Sequence, residues 1–253
     1  MLKDLRIDWN AAWLAPVLSL RPLAERDDWR EQFSREAQRR GLRTASGLPV
    51  TFVGADDAGD AAYEAHIAAT GRVPTRENAH DLFNALIWLA YPRTKASLNA
   101  RQAAEIARDG VRATRGPVRD AATLIDESGL LLFADDEACA ALARLDWAWL
   151  FGPQRWRWGR DWQAFAFGHA LIDKLCAPYK ALTAAVVCVP AAAGDAAAND
   201  ARAARWVGRG DLAPSLLLRL PVLGIPGWWP ANESPQFYDD AAVFRTRRAR
   251  AAA

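Results

Sequence analysis

Pro74-Thr-Arg-Glu-Asn-Ala-His-Asp-Leu-Phe-Asn-Ala-Leu-Ile-Trp-Leu-Ala-Tyr-Pro-Arg-Thr-Lys-Ala-Ser-Leu-Asn99 is the stretch on which the fold turns. Thr75 suits a helix N-cap, and Glu77 suits the first turn, where the dipole favours an acid. The apolar run that follows reads as a helix through Trp88 that ends before Pro92. A second, polar-faced helix is expected over residues 95–108, closed by Gly110. Two helices in succession break the regular strand–helix alternation of a doubly wound or barrel fold, and no glycine-rich turn follows a strand.

Working outward, residues 27–40 form an expected helix with Trp29, Phe33 and Ala37 on one face and Gly41 just beyond it. Trp9, Trp13 and Leu14 suggest a short helix stopped near Pro16. Residues 48–53 read as a strand, and residues 63–69 as a helix ended by Gly71. Downstream, Asp126-Glu127-Ser128-Gly129 lies between apolar triplets, which is a hairpin signal over residues 123–133. Asp135 caps an expected helix toward Trp149, another helix is read over residues 161–176, and residues 183–189 make a buried-type strand. The Ala-rich segment 190–204 reads as a loop. The fold class expected is α+β: a mainly helical single domain packed on a small antiparallel or mixed sheet. Residues 1–244 would form this one domain and residues 245–253 a basic disordered tail.

Composition narrows the function classes. The chain has 253 residues, of which 51% are apolar and 25% charged, with a formal net charge of +2. A core can form without disulfides or metals, and no global basic field favours nucleic acid or anionic lipid. The longest apolar run, residues 85–91, is far too short to span a bilayer. The N-terminus carries acids early and lacks the apolar stretch of a secretory signal. Cys139, Cys176 and Cys188 are odd in number and have no short spacing, so the expectation is three buried thiols in a reducing, cytoplasmic setting. Twelve tryptophans, five of them between Trp147 and Trp162, imply a core that also supplies acceptors for indole N–H groups.

Motif tests exclude the commonest nucleotide and zinc enzymes by signature. The chain has no G-x-S-x-G, Walker loop, G-x-G-x-x-G, C-x-x-C, H-E-x-x-H or EF-hand loop. Four constellations could carry chemistry. In the first, His80 and Asn84 share a helix face four residues apart, beside Asp81. A His near a helix N-terminus is held neutral, the form that accepts a proton or binds a metal. The plainer reading is a core Asn and a backbone-bonded His. In the second, His169 and Asp173 are again four apart, where a carboxylate can fix an imidazole tautomer. Gly168 beside them permits close backbone approach. The plainer reading is an ordinary helix pair. In the third, Glu233, Asp239 and Asp240 offer loop carboxylates for a metal or for acid–base work, or are simply solvated. In the fourth, Arg155, Trp156, Arg157 and Trp158 alternate charge with stacking faces, as single-stranded nucleic acid would require. Alternatively, the tryptophans pin a loop to the core while the arginines stay wet.

Several of these segments belong together. Residues 74–99, Phe167-Gly-His-Ala-Leu-Ile-Asp-Lys174, Leu223-Gly-Ile-Pro-Gly-Trp-Trp-Pro230 and Phe237-Tyr-Asp-Asp240 resemble a bacterial, chiefly proteobacterial, family of uncharacterised proteins that share a domain of unknown function. The resemblance spans nearly the whole chain and implies one family-wide domain. It brings no activity, cofactor or catalytic residue.

The function expected from the residues is therefore a hydrolase-type enzyme. His80 would be base or ligand, oriented by Asn84 or Asp81, and His169, held by Asp173, its partner group. Glu233, Asp239 or Asp240 would close the site, and Arg93 or Lys95 would supply charge for an anionic substrate. The metal, cofactor and partner are left open. The alternatives are a non-catalytic binding protein using the Arg-Trp surface for nucleic acid or a protein, and a structural protein whose His residues only satisfy core polar groups.

Overall fold

Gly129–Ala134 is buried at every position and forms the middle of the molecule. A continuous apolar run of this kind marks a strand covered on both faces. The computed structural model describes residues 7–59, 62–110, 116–190 and 194–246. In chain order its elements are α1 (Arg21–Ala24), α2 (Trp29–Arg39), β1 (Thr51–Val53), α3 (Tyr63–Thr70), β2 (Arg72–Pro74), α4 (Ala79–Ala90), α5 (Pro92–Asp109), α6 (Pro117–Ser128), β3 (Gly129–Ala134), α7 (Asp136–Arg144), α8 (Trp147–Phe151), β4 (Gln163–Ala166), α9 (His169–Leu175), β5 (Thr183–Pro190), α10 (Ala196–Val207) and β6 (Leu218–Pro221). The larger sheet has the order β4-β3-β5-β6. β3 and β5 are parallel, and the outer strands β4 and β6 run antiparallel to them. β1 and β2 form a separate parallel pair. The result is a single α+β domain, helix-rich with small mixed sheets.

α4 is the buried axis of the helical layer. Nine of its twelve residues are buried, from Asp81 to Leu89, so it is enclosed by the domain instead of lying half-wet on its surface. It packs against α5 and α9. The turn Tyr91-Pro92 reverses the chain, and Pro92 starts α5 at the position where a missing N–H costs nothing. The carboxylate of Asp200, on α10, accepts from the freed N–H groups of Arg93 and Thr94 at 2.9 Å each, which ties α10 to the start of α5.

Several local expectations differ from the structure. The cap of α4 is Asn78, whose side chain accepts from the Asp81 N–H at 2.8 Å, whereas the Thr75 hydroxyl turns back to the Val73 carbonyl. Pro16 does not stop a helix but sits inside a 3-10 segment, Ala12–Leu20. The Asp126–Gly129 segment is not a hairpin turn. Residues through Ser128 end α6, and the chain passes directly into β3. Residues 163–166 form strand β4 instead of a helix, because they pair along β3. The Ala-rich segment holds α10, capped by Asp195 and with Asn199, Asp200, Ala203 and Val207 buried along one face.

The cysteine expectation is also corrected. Cys139 on α7 and Cys188 on β5 form a disulfide, with Cα atoms 6.0 Å apart. Their separation of 49 residues concealed a pairing that the packing of α7 on β5 creates. Cys176 remains a free thiol, its pKa pushed up to about 11 by burial and then by Asp173. A disulfide does not persist in a reducing compartment, so the cysteines give no argument for cytoplasm. No helix among the described residues is long and apolar enough to cross a membrane. Of the expected tail, residues 247–253 lie outside the described residues, while the Arg245 carbonyl accepts from the Trp147 indole at 2.8 Å.

Candidate metal centre

His80 occupies the first turn of α4, and His169 opens α9. Their Nε2 atoms are 2.9 Å apart and their rings are nearly perpendicular, at 78°. Residues 89 positions apart in sequence thus meet edge to face. The join depends on Gly168. A Cβ there would lie 2.3 Å from the Gly129 nitrogen and 2.5 Å from the Glu127 carbonyl oxygen. Only glycine lets the start of α9 press onto the α6–β3 junction, and the Gly168 N–H donates to the Gly129 carbonyl at 2.8 Å.

That junction carries the acids of the site. Glu127 places a carboxylate oxygen 3.5 Å from His169 Nε2, and Asp126 places one 3.9 Å from His169 Nδ1. His80, Glu127 and His169 each offer one ligand atom, all three within 4.8 Å of one another. Two ligand atoms about 2.1 Å from a tetrahedral ion are about 3.3–3.5 Å apart. The two edges that meet at His169 Nε2, 2.9 and 3.5 Å, bracket this spacing, and the third, between His80 and Glu127, lies within 4.8 Å. Burial, opposed by Asp126, pushes the His169 pKa down to about 4, which leaves the ring neutral near pH 7. Burial and Asp126 together raise the carboxyl of Glu127.

Beneath this face lies a chain of buried polar groups. The Lys95 ammonium, 4% exposed, donates to the Asp126 carboxylate and to Asn84 Oδ1 at 2.8 Å. Asn84 donates in turn to the Tyr63 hydroxyl at 2.9 Å. Lys95 also lies 5.5 Å from the Trp88 ring centre. Burial alone would raise Asp126, but Lys95 and the facing His169 hold its carboxyl below the ordinary range. Asp81 accepts from the Arg76 backbone N–H and guanidinium. Glu64 accepts from Asn99, while burial and the nearby Asp126 raise its pKa to about 7. These groups line or floor a cavity of about 330 Å³. Its walls include Glu64, Asp81, Asp126 and Glu127 but no Ser, Thr or Cys among the described residues. These four carboxylates give the cavity an acidic wall, and the side-chain hydroxyl that lines it among the described residues is the Tyr63 phenol, hydrogen-bonded to Asn84.

The structure brings together His80, Asp81, Asn84, Lys95 and His169 of the residues singled out by sequence. The carboxylates within 4 Å of the His169 ring nitrogens are Asp126 and Glu127; Asp173, one helical turn on, is not among them. Arg93 faces a different cavity, at the far end of α4. Glu233 pairs with Arg155, Asp240 pairs with Lys180, and Asp239 is exposed. None of the three lines the His80–His169 cavity. In the Arg-Trp stretch, Trp158 is buried and its indole donates to the Leu150 carbonyl, and Arg157 lies between Asp135 and Asp161. Only Trp156 of the four, 57% exposed, presents its ring to solvent.

Sequence reading missed Asp126, Glu127, Glu64 and Tyr63. The first two were hidden by the hairpin signal. The buried spacing Ala121, Ala122, Ile125, Asp126 on α6 is a helical period and would have placed an acid on the core face.

No curated protein and no solved structure matches the chain. One sequence family matches residues 50–248, a span that includes His80, Glu127 and His169, and the chain therefore belongs to the family described as a protein of unknown function, DUF3025.

Proposed function

We propose that this protein is a hydrolase that uses a divalent metal ion held by His80, Glu127 and His169. The observation that carries the reading is the meeting of three ligand atoms from α4, α6 and α9 on the wall of one cavity. Two imidazoles and one carboxylate form a donor set used by catalytic zinc, which keeps a fourth position for water and lowers its pKa toward neutrality. Asp126 lies on the far side of the His169 ring, 3.9 Å from an Nδ1 that is buried and makes no hydrogen bond, so a small movement of the carboxylate would let it orient a ligating imidazole. Lys95 keeps Asp126 ionised and in place, and Asn84 steadies Lys95. Glu64, with a pKa near 7, is suited to take a proton from water and return it to a leaving group.

The same donor set also serves ferrous iron in oxygen chemistry. A carboxylate of the cavity outside the ligand set, Glu64, favours hydrolysis, because proton transfer from water needs a base beyond the ligands. The test is turnover of ester, amide and phosphodiester substrates by protein loaded with zinc, manganese or iron(II), with oxygen uptake followed in parallel. Hydrolysis that disappears in Glu127→Gln supports the reading. Oxygen uptake without hydrolysis, or hydrolysis untouched by Glu127→Gln, refutes it.

A further inference from the structure

α5 has two polar faces. Lys95, Asn99 and Gln102 point into the domain. Arg93, Ser97 and Arg101 recur every four residues and share another face, with the small residues Ala96 and Ala100 between them. That second face lines a cavity of about 890 Å³, whose other walls come from the turn after α2, the end of α4 and the start of α10. The volume is in the range of small-molecule sites. The cavity begins at Leu89, nine residues or about 14 Å along α4 from His80, and shares no lining residue with the metal-site cavity.

Four arginines reach this cavity: Arg40, Arg43, Arg93 and Arg101. Arg40 is held by Glu36 and by the Leu89 carbonyl, and Arg43 by the Gly47 carbonyl. These bonds fix two guanidinium groups at the rim. Arg101 differs, because its Nε is buried and makes no hydrogen bond. A buried guanidinium N–H without an acceptor is costly. The carboxylate in the wall, Asp200, does not relieve it, since both its oxygens accept from the start of α5. Between the arginines the floor is apolar, formed by Leu42, Leu89 and alanines.

We infer that this cavity binds a small organic anion whose charged groups are phosphate or carboxylate. Arg93 and Arg101 would grip anionic groups about 12 Å apart along α5, and an apolar portion would lie over Ala96 and Ala100. A guanidinium fork matches the oxygens of either group with two parallel hydrogen bonds. The inference is independent of the metal centre, which has the opposite electrostatic character.

The test is calorimetric titration of the full chain, freed of metal by a chelator, with octane-1,8-bisphosphonate and separately with sebacate, each of which carries charged groups at the two ends of an apolar chain. Saturable one-to-one binding of either probe is expected, and the probe that binds identifies phosphate or carboxylate as the preferred group. Arg93→Gln and Arg101→Gln should each weaken binding by about tenfold or more, whereas His80→Ala should leave it unchanged. If Arg101→Gln does not fold, Arg93→Gln, on an exposed side chain, decides alone. Absence of binding by both probes at millimolar concentration would overturn the inference. So would binding that survives both arginine substitutions, or binding lost in His80→Ala.

Discussion

The His80–His169 cavity and the corner built by Arg155, Arg157 and residues 230–240 draw on the same residue types but leave their polar atoms in different states. At the corner both arginines find near partners. Arg155 donates to Tyr238, Asn232 and Glu233, and Arg157 lies between Asp135 and Asp161. Asn232, 1% exposed, donates to the Leu223 and Ile225 carbonyls, and Phe151 stacks on Tyr238. At the cavity, two imidazoles and a half-exposed carboxylate converge on one point with acids crowded behind them. The first arrangement spends its polar groups on holding a loop. The second holds ligand atoms toward a shared space, and this convergence is what separates a candidate site from a structural cluster.

The comparison can be broken most sharply at the imidazoles. His80→Ala or His169→Ala should abolish metal-dependent hydrolysis, a loss of about a thousandfold or more, or ~4 kcal/mol in the barrier, with the melting temperature changed little. Next, Lys95→Met should destabilise the protein by about 3–5 kcal/mol, because Asp126 would be left buried and unpaired; urea unfolding measures this. Replacing Cys139 and Cys188 by serine should cost about 2–4 kcal/mol through the freer unfolded chain, and reduction of the wild type should lower its melting temperature comparably. Gly168→Ala should cost about 1–3 kcal/mol and also weaken metal binding, because the α9 start must retreat from Gly129 and Glu127. The smallest effect belongs to the corner: Arg155→Ala should cost about 1 kcal/mol and leave hydrolysis intact. Activity lost in Arg155→Ala would show that the two regions had been assigned the wrong way round.

Legibility in the sequence followed the strength of local signals. α2 showed its face through Trp29, Phe33 and Ala37, and Gly41 and Gly71, both at positive φ, marked the ends of α2 and α3. The mainly helical architecture on a small sheet was readable from the succession of α4 and α5. The two His residues were readable because each stands as a polar group in an apolar helical run. What was lost depended on contacts distant in sequence. Asp126 and Glu127 looked like turn residues, because charged-Ser-Gly between apolar triplets is a local hairpin signal. Tertiary packing instead carries the helix up to Gly129, where β3 must begin. Gly168 was readable as a point of close approach, but not what approaches it. The partner of His169 was expected one helical turn away at Asp173, yet the acids facing its ring come from α6. The disulfide and the Arg93–Arg101 cavity likewise arise only when α7 meets β5 and when α10 docks on α5.

The most direct test of the central claim is equilibrium dialysis of the full chain against Zn²⁺, with bound metal counted per chain in the wild type, His80→Ala and His169→Ala. The account predicts one tightly held ion in the wild type and its loss in both variants while both remain folded. A wild-type protein that retains no zinc, or variants that retain it equally well, would contradict the metal centre.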